Sequence, residues 1–377
     1  VDYLVGLKLK NEKKQSKRKI LLWTSIIVNL GFLGFFKYYN FFIENFINAF
    51  SLFGMQINAN SLNIILPLGI SFYTFQTLSY TIDVYKKKLR PTQDFVAFSA
   101  FVCFFPQLVA GPIERAANLL PQFYKKRIFK YNKAVDGMRQ ILWGFFKKLV
   151  IADNCAEFAD QIFNNSYDLN GSTLVLGAIF FTFQIYGDFS GYSDIAIGTS
   201  RLFGFDLKQN FATPYFSRDI AEFWRRWHIS LSSWFRDYLY IPLGGNKVGT
   251  WIKVRNTFAI FLVSGFWHGA NWTFIIWGGL NAIYFLPLLL NKKNRKNLGI
   301  VAEGKLLPSF KELFAMLKTF ILTVIAWIFF RAESVGHAIS YIKEIFSDSL
   351  FQMPYLNNSS ISFSKIIIII IFFIVEW

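Results

Sequence analysis

The chain has 377 residues, of which 54% are hydrophobic, 20% aromatic and only 17% charged. One soluble core of this length would not use so much apolar surface, so the composition excludes an ordinary soluble domain and indicates an integral membrane protein. The formal net charge of +17 does not indicate nucleic-acid binding, because the lysines and arginines lie in short runs between apolar segments.

Several apolar segments approach the ~20 residues that a helix needs to cross the hydrocarbon. In chain order they are 20–36, 62–82, 173–196, 256–290, 311–330 and 363–377, with a less uniformly apolar one at 138–160. The segment 95–113 contains Pro106, Gly111 and Pro112, so we expect it to be re-entrant or broken and buried in protein. The pattern predicts an all-α polytopic membrane protein with a single domain over 1–377. Because the chain begins at Val1 and stops at Trp377 directly after an apolar run, we expect one or both ends to be trimmed.

The basic runs between these segments predict the topology. We expect the protein in the inner (cytoplasmic) membrane of the cell. The positive-inside rule assigns the runs 8–19, 86–90, 125–133, 247–255 and 291–297 to the cytoplasmic side. Weakly charged connections at 48–63, 160–172 and 351–360 are assigned to the outside. Since 256–290 has basic runs at both ends, it cannot cross once, and we expect two helices that meet at "WHGANW" around His268.

The two cysteines, Cys103 and Cys155, both lie in apolar segments without metal-ligand spacing. We expect them to pack in the core, and no metal site is predicted.

The segment 217–240 alternates charged and aromatic residues at helical spacing, which predicts one amphipathic helix in the membrane interface. Ser217 is its expected N-cap, and Pro242 with the glycines that follow ends it. Its apolar arc is formed by Ile220, Phe223, Trp224, Trp227, Leu231, Trp234, Phe235 and Tyr238. His228 falls at the edge of this arc, which predicts a position in the protein interior that is not fully enclosed.

Three arginines of that segment, Arg218, Arg225 and Arg236, align on the opposite face of the predicted helix. They either anchor the helix to anionic lipid or bind a phosphate-bearing cosubstrate, which the planar guanidinium group suits. The sequence favours neither interpretation over the other.

The chain contains only three histidines. His337 has no polar residues grouped around it and is expected at a surface or interface. His228 and His268 are each embedded in tryptophan-rich sequence, and a polar group inside a bilayer is costly and tends to mark a functional site. For His268 we expect a function, with Trp267 lining the site and Asn271 orienting the ring or a substrate carbonyl.

The glycines Gly265 and Gly269 would permit close backbone approach around His268.

A second group of polar residues at membrane depth lies in the segment "QIYGDFSGYSDIAIG" at 184–198. Its polar side chains either join helices by hydrogen bonds or line a substrate channel. They are Asp188, Ser190, Tyr192 and Asp194.

Four blocks of the sequence resemble the membrane-bound O-acyltransferases, in particular the branch of the alginate O-acetyltransferase membrane subunit. The blocks are "PQLVAGPIER", "YGDFSGYSDIAIG", "FWRRWHISLSSWFRDYLYIPLGG" and "SGFWHGANWTFIIWGGLN". The resemblance covers about residues 60–330, and the D-alanyl transfer protein of teichoic-acid modification is a more distant relative.

The resemblance implies a multi-helix fold around a central tunnel, with His268 as the catalytic histidine of the family and His228 as the second histidine of the branch. It also implies a cytosolic acyl donor, acetyl-CoA, that is not permanently bound, and an acceptor on the outer side. An exported partner of the SGNH-hydrolase type would complete transfer to a polysaccharide.

Acyl transfer from a thioester to a hydroxyl requires removal of the hydroxyl proton, and an imidazole suits this step because its pKa lies near neutral pH. His268 is therefore the predicted general base, and in a second possibility it transiently carries the acyl group itself. A polysaccharide or lipid transporter is the competing class, since it would use the same polar groups for binding. Transporters often have two matching halves, and no internal match is visible here.

Overall fold

The computed structural model describes residues 1–55, 57, 61–356, 359–360 and 363–377, and almost all of their regular structure is helical. The chain divides into two units, one of Val1–Ala134 with Ser200–Lys208 and one of Val135–Thr199 with Gln209–Trp377. Residues 56 and 58–60 of the predicted outer connection 48–63, and residues 357–358 of the connection 351–360, lie outside the described residues.

The first unit is built from short and medium helices. They are α1 (Asp2–Asn11), α2 (Gln15–Leu33), α3 (Tyr39–Ser51), α4 (Ile70–Tyr85), α5 (Phe95–Val102) and α6 (Ala116–Phe123). A π-helical turn, Gly34–Tyr38, joins α2 to α3 without a break. The buried Arg18 of α2 donates to the carbonyl oxygens of Leu9 at 2.5 Å and Tyr85 at 2.7 Å, so its guanidinium group ties α1 and α4 to α2.

The second unit contains the remaining helices. They are α7 (Tyr131–Phe145), α8 (Asp153–Asn164), α9 (Gly171–Leu202), α10 (Ile220–Arg226), α11 (Ile229–Phe235), α12 (Thr250–His268), α13 (Trp272–Leu290), α14 (Phe310–Arg331), α15 (Val335–Ile345) and α16 (Phe363–Glu376). Of these, α7 begins and α9 ends in the first unit. π-Helical segments at Phe146–Ala152 and Arg236–Tyr240, and short 3₁₀ turns at Ser166–Asp168, Pro214–Phe216 and Asp348–Phe351, connect them. Two short antiparallel strands, Tyr355–Leu356 and Ser359–Ser360, precede α16.

Among the described residues, four helical runs are long and apolar enough to cross a membrane: Gln15–Ser51, Gly171–Leu202, Trp272–Leu290 and Phe310–Arg331. They contain the predicted spans 20–36, 173–196 and 311–330 and the second part of 256–290. The all-α fold class predicted from the sequence is confirmed.

The structure corrects the predicted span 62–82. Its helix, α4, begins only at Ile70, because Pro67 and Gly69, which has a left-handed φ of 74°, form a turn before it. The segment 95–113 is broken, as predicted: α5 ends at Val102 and turns follow.

The two cysteines lie in different environments. Cys155 is buried in α8, as expected, whereas Cys103 is exposed. The core-packing prediction is therefore wrong for Cys103, because the residue lies in the turn that ends α5 and not inside an apolar helix.

Local signals in the sequence set the start of several helices. Asp94 caps α5 by accepting a hydrogen bond from the backbone N–H of Ala97 at 3.0 Å. Ser309 and Glu312 form a reciprocal capping box at the start of α14. The core of the second unit is rich in aromatic rings and includes Trp227, Trp277 and Trp327.

Candidate active site

His268 is the last residue of α12, and the residues after it turn the chain directly into α13. Gly269 is extended, and Asn271 caps α13 by accepting a hydrogen bond from the backbone N–H of Thr273 at 3.0 Å. The side-chain amide of Asn271 also donates to the carbonyl oxygen of Glu333 at 2.9 Å. The predicted break at "WHGANW" is confirmed, and the contacts of Asn271 favour a structural role over the predicted orientation of the ring or of a substrate carbonyl.

The two helices of this hairpin, α12 and α13, touch backbone to backbone. A Cβ atom on Gly265 would lie 2.2 Å from the carbonyl oxygen of Phe274, and one on Gly278 would lie 2.3 Å from that of Phe261. A Cβ on Gly269 would meet the Phe274 ring at 2.1 Å. The predicted close approach at Gly265 and Gly269 is confirmed, and it fixes the place of His268 at the end of a closely packed helix pair.

The ring of His268 is half-buried among aromatic side chains. Its centroid lies 4.9 Å from that of Trp267, 5.1 Å from that of Trp277 and 5.2 Å from that of Phe330, all in edge-to-face arrangements. Because the residue ends α12, the negative end of the helix dipole favours a positive charge on the imidazole. Such a position suits a group that accepts a proton.

The segment 217–240 is not the single amphipathic helix that the sequence predicts. It is divided into α10, α11 and the π-helical segment Arg236–Tyr240, and the break falls at Trp227 and His228. The N-cap is Asp219, which accepts a hydrogen bond from the backbone N–H of Glu222 at 2.7 Å, and not Ser217 as predicted.

Asn210 explains why the helix breaks. The backbone N–H of Ile229 donates to the carbonyl oxygen of Asn210 at 2.9 Å, and that of Ser230 donates to its Oδ1 at 3.2 Å. In a continuous helix these groups would bind carbonyls four residues earlier. The carbonyl oxygen of Arg226 instead accepts from the backbone N–H of Ala212 at 2.9 Å. The loop around Asn210 therefore takes the hydrogen bonds that would carry the helix through His228.

His228 has a left-handed backbone with φ 43° and ψ 55°, which is uncommon for a residue other than glycine. Its side chain is 1% exposed, so the prediction that it is not fully enclosed is wrong. Nδ1 lies 3.1 Å from Oδ1 of Asn210, and the ring packs against Phe189 with centroids 4.6 Å apart. Among the described residues, Nε2 has no hydrogen-bond partner. Burial lowers the pKa of His228 well below its usual range, and a proton on His268 would lower it further by charge repulsion.

Trp267 connects the two histidines. Its ring centroid lies 6.3 Å from that of His228 and 4.9 Å from that of His268, and its side chain is buried. The structure thus brings together three of the residues predicted for the site. In the described part of the chain, neither histidine lines the two cavities that lie nearby.

The first of these, which we call the arginine cavity, has a volume of about 460 Å³. Three arginines line it: Arg225, Arg236 and Arg295. Arg225 donates to the carbonyl oxygens of Asn294 at 3.0 Å and Asn297 at 2.5 Å, whereas Arg236 is 63% exposed and pairs with its neighbour Asp237 at 2.8 Å. Arg225 and Arg236 therefore share a cavity although the helix between them is broken.

The arginine cavity extends toward His268. Ser264, which lines it, lies one turn before His268 on α12. Trp224 also lines it, and the centroid of this ring is 5.7 Å from that of Trp277, which packs against His268. A ligand in the cavity would have its charged part near the arginines and its other end near the aromatic cluster around His268.

The second cavity, called the polar cavity, has a volume of about 380 Å³ and contains two of the four residues predicted in α9, Ser190 and Asp194. Asp194 forms an ion pair with the buried Lys147 and accepts a hydrogen bond from Gln140 at 2.7 Å. Ser190 Oγ is buried without a hydrogen-bond partner in the described part of the chain. The other lining residues are Trp143, Tyr186, Ser193, Ile197, Gln209, Asn210, Phe211, Ala212, Thr213, Arg226 and Glu376.

The remaining two predicted residues of α9 lie elsewhere. Asp188 is 56% exposed and forms an ion pair with Lys148 at 2.7 Å. Tyr192 is half-buried and is not among the described residues that line either cavity.

Lys147 and Asn210 are among the residues of these sites that were not predicted from the sequence. Lys147 could have been found, because a lysine inside the apolar segment 138–160 is costly unless it is paired. Asn210 gives no such signal, since it is one polar residue in the polar loop "KQNFATPYF".

His337 is another correction. It is 8% exposed, and its Nε2 lies 2.9 Å from Oγ of Ser166, while the backbone N–H of Glu333 donates to Nδ1 at 3.4 Å. Of the surface or interface position predicted for this residue, the surface alternative is wrong, because the side chain is buried with polar partners from the turn at Ser166 and from Glu333, just before α15.

Comparison with known proteins decides the family. Residues 86–304 match the model of the MBOAT family, the membrane-bound O-acyltransferases. This range contains the α12–α13 hairpin, His228 and His268, and the arginines that line the two cavities. The chain is a membrane-bound O-acyltransferase. Because the chain belongs to this family, it is an acyltransferase. Its all-α fold and its apolar helices make it a multi-pass membrane protein.

Relatives of this MBOAT protein include several bacterial enzymes. The probable alginate O-acetylase AlgI of Pseudomonas aeruginosa is 40% identical over 364 residues, which are 96% of this chain and 67% of that protein. The peptidoglycan O-acetyltransferase of Helicobacter pylori is 38% identical over 368 residues, 91% of this chain and 67% of that protein. The teichoic acid D-alanyltransferase of Streptococcus thermophilus is 34% identical over 242 residues, 57% of this chain and 55% of that protein.

Proposed function

We propose that this MBOAT protein is an O-acetyltransferase of the cytoplasmic membrane that takes an acetyl group from cytosolic acetyl-CoA. The acceptor is a hydroxyl group on the outer side, and the product serves O-acetylation of an exported or cell-wall polysaccharide. The observation that carries the proposal is the arginine cavity, whose aromatic end adjoins the packing around His268.

The chemistry assigned to His268 is general-base catalysis. The hydroxyl oxygen of the acceptor forms a bond to the carbonyl carbon of the thioester, and His268 takes the hydroxyl proton. The carbon–sulfur bond then breaks, and the imidazolium returns the proton to the leaving thiolate. The position of His268 at the C-terminal end of α12 supports this role, because the helix dipole favours the imidazolium that forms. In the covalent alternative, the imidazole nitrogen attacks the carbonyl carbon of the thioester and the carbon–sulfur bond breaks to release the thiolate. In a second step the acceptor hydroxyl attacks the acyl-imidazole, the carbon–nitrogen bond breaks, and the hydroxyl proton passes to the thiolate.

Recognition of the donor is assigned to the arginines. Acetyl-CoA carries phosphate groups at the end remote from its thioester, and guanidinium groups bind phosphate oxygens through two parallel hydrogen bonds. Arg225 is held by two backbone carbonyls and is thus oriented before a ligand arrives. Arg295 lies in the basic run 291–297, which the charge pattern assigns to the cytoplasm.

The acceptor side is proposed from the relatives. Two of them are named for alginate and for peptidoglycan, so a polysaccharide acceptor is favoured. The exported SGNH-hydrolase-like partner that completes the transfer is proposed from the family resemblance of the sequence alone. A D-alanyl group in place of acetyl is the second candidate, since another relative is named a teichoic acid D-alanyltransferase.

The test uses purified full chain in vesicles, with acetyl-CoA labelled in its acetyl group and a candidate exported partner supplied on the outer side. We expect label to appear on the partner or on a polysaccharide fragment, in proportion to the thiol released. Release of thiol without labelled ester would indicate hydrolysis, and transport of an unlabelled polymer without acyl transfer would contradict the proposal in favour of a transporter. A parallel assay with a D-alanyl thioester separates the two acyl groups.

A further inference from the structure

The contacts of Asn210 fix the orientation of its side-chain amide. Its Oδ1 atom accepts hydrogen bonds from the backbone N–H of Ser230 at 3.2 Å and from the hydroxyl of Ser230 at 2.9 Å. A backbone N–H group can only donate, so the atom that faces it must be the oxygen. The flipped amide is excluded, and Nδ2 is left to donate to the hydroxyl of Ser193 at 3.3 Å.

This orientation determines the tautomer of His228. A carbonyl oxygen can only accept, so Nδ1 of His228, 3.1 Å from Oδ1 of Asn210, must carry a proton. In a neutral imidazole the other nitrogen then holds a lone pair. That nitrogen, Nε2, is buried and has no hydrogen-bond partner among the described residues.

The surroundings of His228 keep the ring neutral. The rings of Phe189, Phe211 and Trp267 pack around it, from α9, the loop before α10 and the end of α12. The titratable group that acts on it among the described residues is His268, and when His268 takes up a proton its charge opposes protonation of His228. A buried acceptor without a partner costs free energy in the absence of a ligand, which is a reason to look for its partner in a substrate.

We propose that Asn210 is a positioning residue that holds His228 in the Nδ1–H tautomer, so that Nε2 accepts a hydrogen bond from an O–H or N–H group of a bound substrate. The inference rests on the proposed function, in which such a group belongs either to a second hydroxyl of the acceptor, which does not react, or to the amide-containing arm of the donor. His268 takes the proton, and His228 holds the substrate without changing its charge.

The first test reads the tautomer directly and needs no turnover. The chain has only three histidines, so ¹⁵N labelling of histidine gives few resonances, and the spectrum of His228→Ala identifies those of His228. In wild-type protein we expect a protonated Nδ1 and an unprotonated Nε2. In Asn210→Leu, which keeps the side-chain size but removes the acceptor, we expect a mixture of tautomers. Asn281→Leu is the matched control, because Asn281 is another buried asparagine, whose amide donates to the carbonyl of Trp277, and its replacement should leave the His228 resonances in place.

The second test uses acetyl transfer in vesicles. Asn210→Leu should raise one KM about 2- to 10-fold with a smaller change in kcat, the range expected for loss of one neutral hydrogen bond. A rise in the KM of acetyl-CoA identifies the donor arm as the source of the group, and a rise in the KM of the acceptor identifies the hydroxyl. An unchanged KM for both substrates overturns the proposal.

Asn210→Asp distinguishes positioning from a purely structural role. The carboxylate still accepts from Ser230 and from Nδ1, so the turn is retained, but its negative charge raises the pKa of His228. A protonated ring donates at Nε2 and cannot accept, so activity should be lost on the acid side at a higher pH than in wild type. An acid limb that does not move, or a protonated Nε2 in wild-type protein, overturns the proposal. If wild type shows the expected tautomer but no acyl transfer, the proposed function fails instead.

Discussion

The α12–α13 hairpin and the interrupted segment α10–α11 each place a histidine next to tryptophan, but by different means. In the hairpin, His268 ends a regular helix, and glycines and a capping asparagine within ten residues of it set the geometry. In the interrupted segment, His228 occupies a left-handed turn that Asn210 holds from 18 residues away. Similar local sequence thus yields a half-buried ring suited to gain a proton and a buried ring suited to remain neutral.

The largest expected effect is that of His268→Ala. Removal of a general base typically lowers the rate by ~10²–10⁴, so acetyl transfer in vesicles should fall close to background. Expression and the elution profile in detergent should be unchanged, because the ring is only half-buried at the end of α12 and the close contact of α12 with α13 is made by glycines. Transfer near the wild-type rate by a correctly folded variant would remove His268 from the role of base.

A pair of glycine variants tests the close contact between the two helices of the hairpin. In Gly278→Ala the new Cβ would lie 2.3 Å from the carbonyl oxygen of Phe261, so we expect a loss of ~1–3 kcal/mol from overpacking and a lower melting temperature in detergent. Gly279→Ala is the control, because its Cβ would meet only a Leu262 methyl group at 3.8 Å. Equal melting temperatures for the two variants would contradict the close helix contact.

His228→Ala should have a smaller effect than His268→Ala. The variant loses a hydrogen-bond acceptor and not the base, so we expect measurable turnover and a binding defect of about 2- to 10-fold in KM. Steady-state kinetics with both substrates varied would show this. If His228→Ala alone abolishes turnover, the ranking of the two histidines is reversed.

The smallest effect is expected for the double substitution of Arg225 and Arg236 by glutamine. Both side chains line the arginine cavity, but Arg236 is 63% exposed and its charge is screened by solvent, so the KM of acetyl-CoA should rise several-fold while membrane insertion is unchanged. Titration of acetyl-CoA in vesicles tests this. An unaltered donor dependence would favour the alternative in which these arginines anchor the protein to anionic lipid.

The hairpin could be predicted because its signals are local. Gly269 and Asn271 mark the break in the sequence itself, and basic runs on both sides of 256–290 require an even number of crossings. The family resemblance then pointed to both histidines.

The interrupted segment could not be predicted in the same way. The spacing of Ile220, Phe223 and Trp227 fits a continuous helix, and nothing within the segment reveals that a loop carbonyl and a side-chain amide of Asn210 take over its hydrogen bonds. The ion pair of Asp194 with Lys147 could not be predicted either, because the two residues lie far apart in the sequence and in different helical segments.

The length of α9 has a consequence for the depth of the polar cavity. Its 32 residues span ~48 Å at ~1.5 Å per residue, which is ~18 Å more than the ~30 Å thickness of the hydrocarbon. A helix so mismatched to the bilayer tilts or projects beyond it. If α9 enters the hydrocarbon at Gly171, about 20 residues carry it across, and the part around Asp194 lies among the lipid headgroups. Water can then reach the ion pair of Lys147 and Asp194 from that side without any break in the helix.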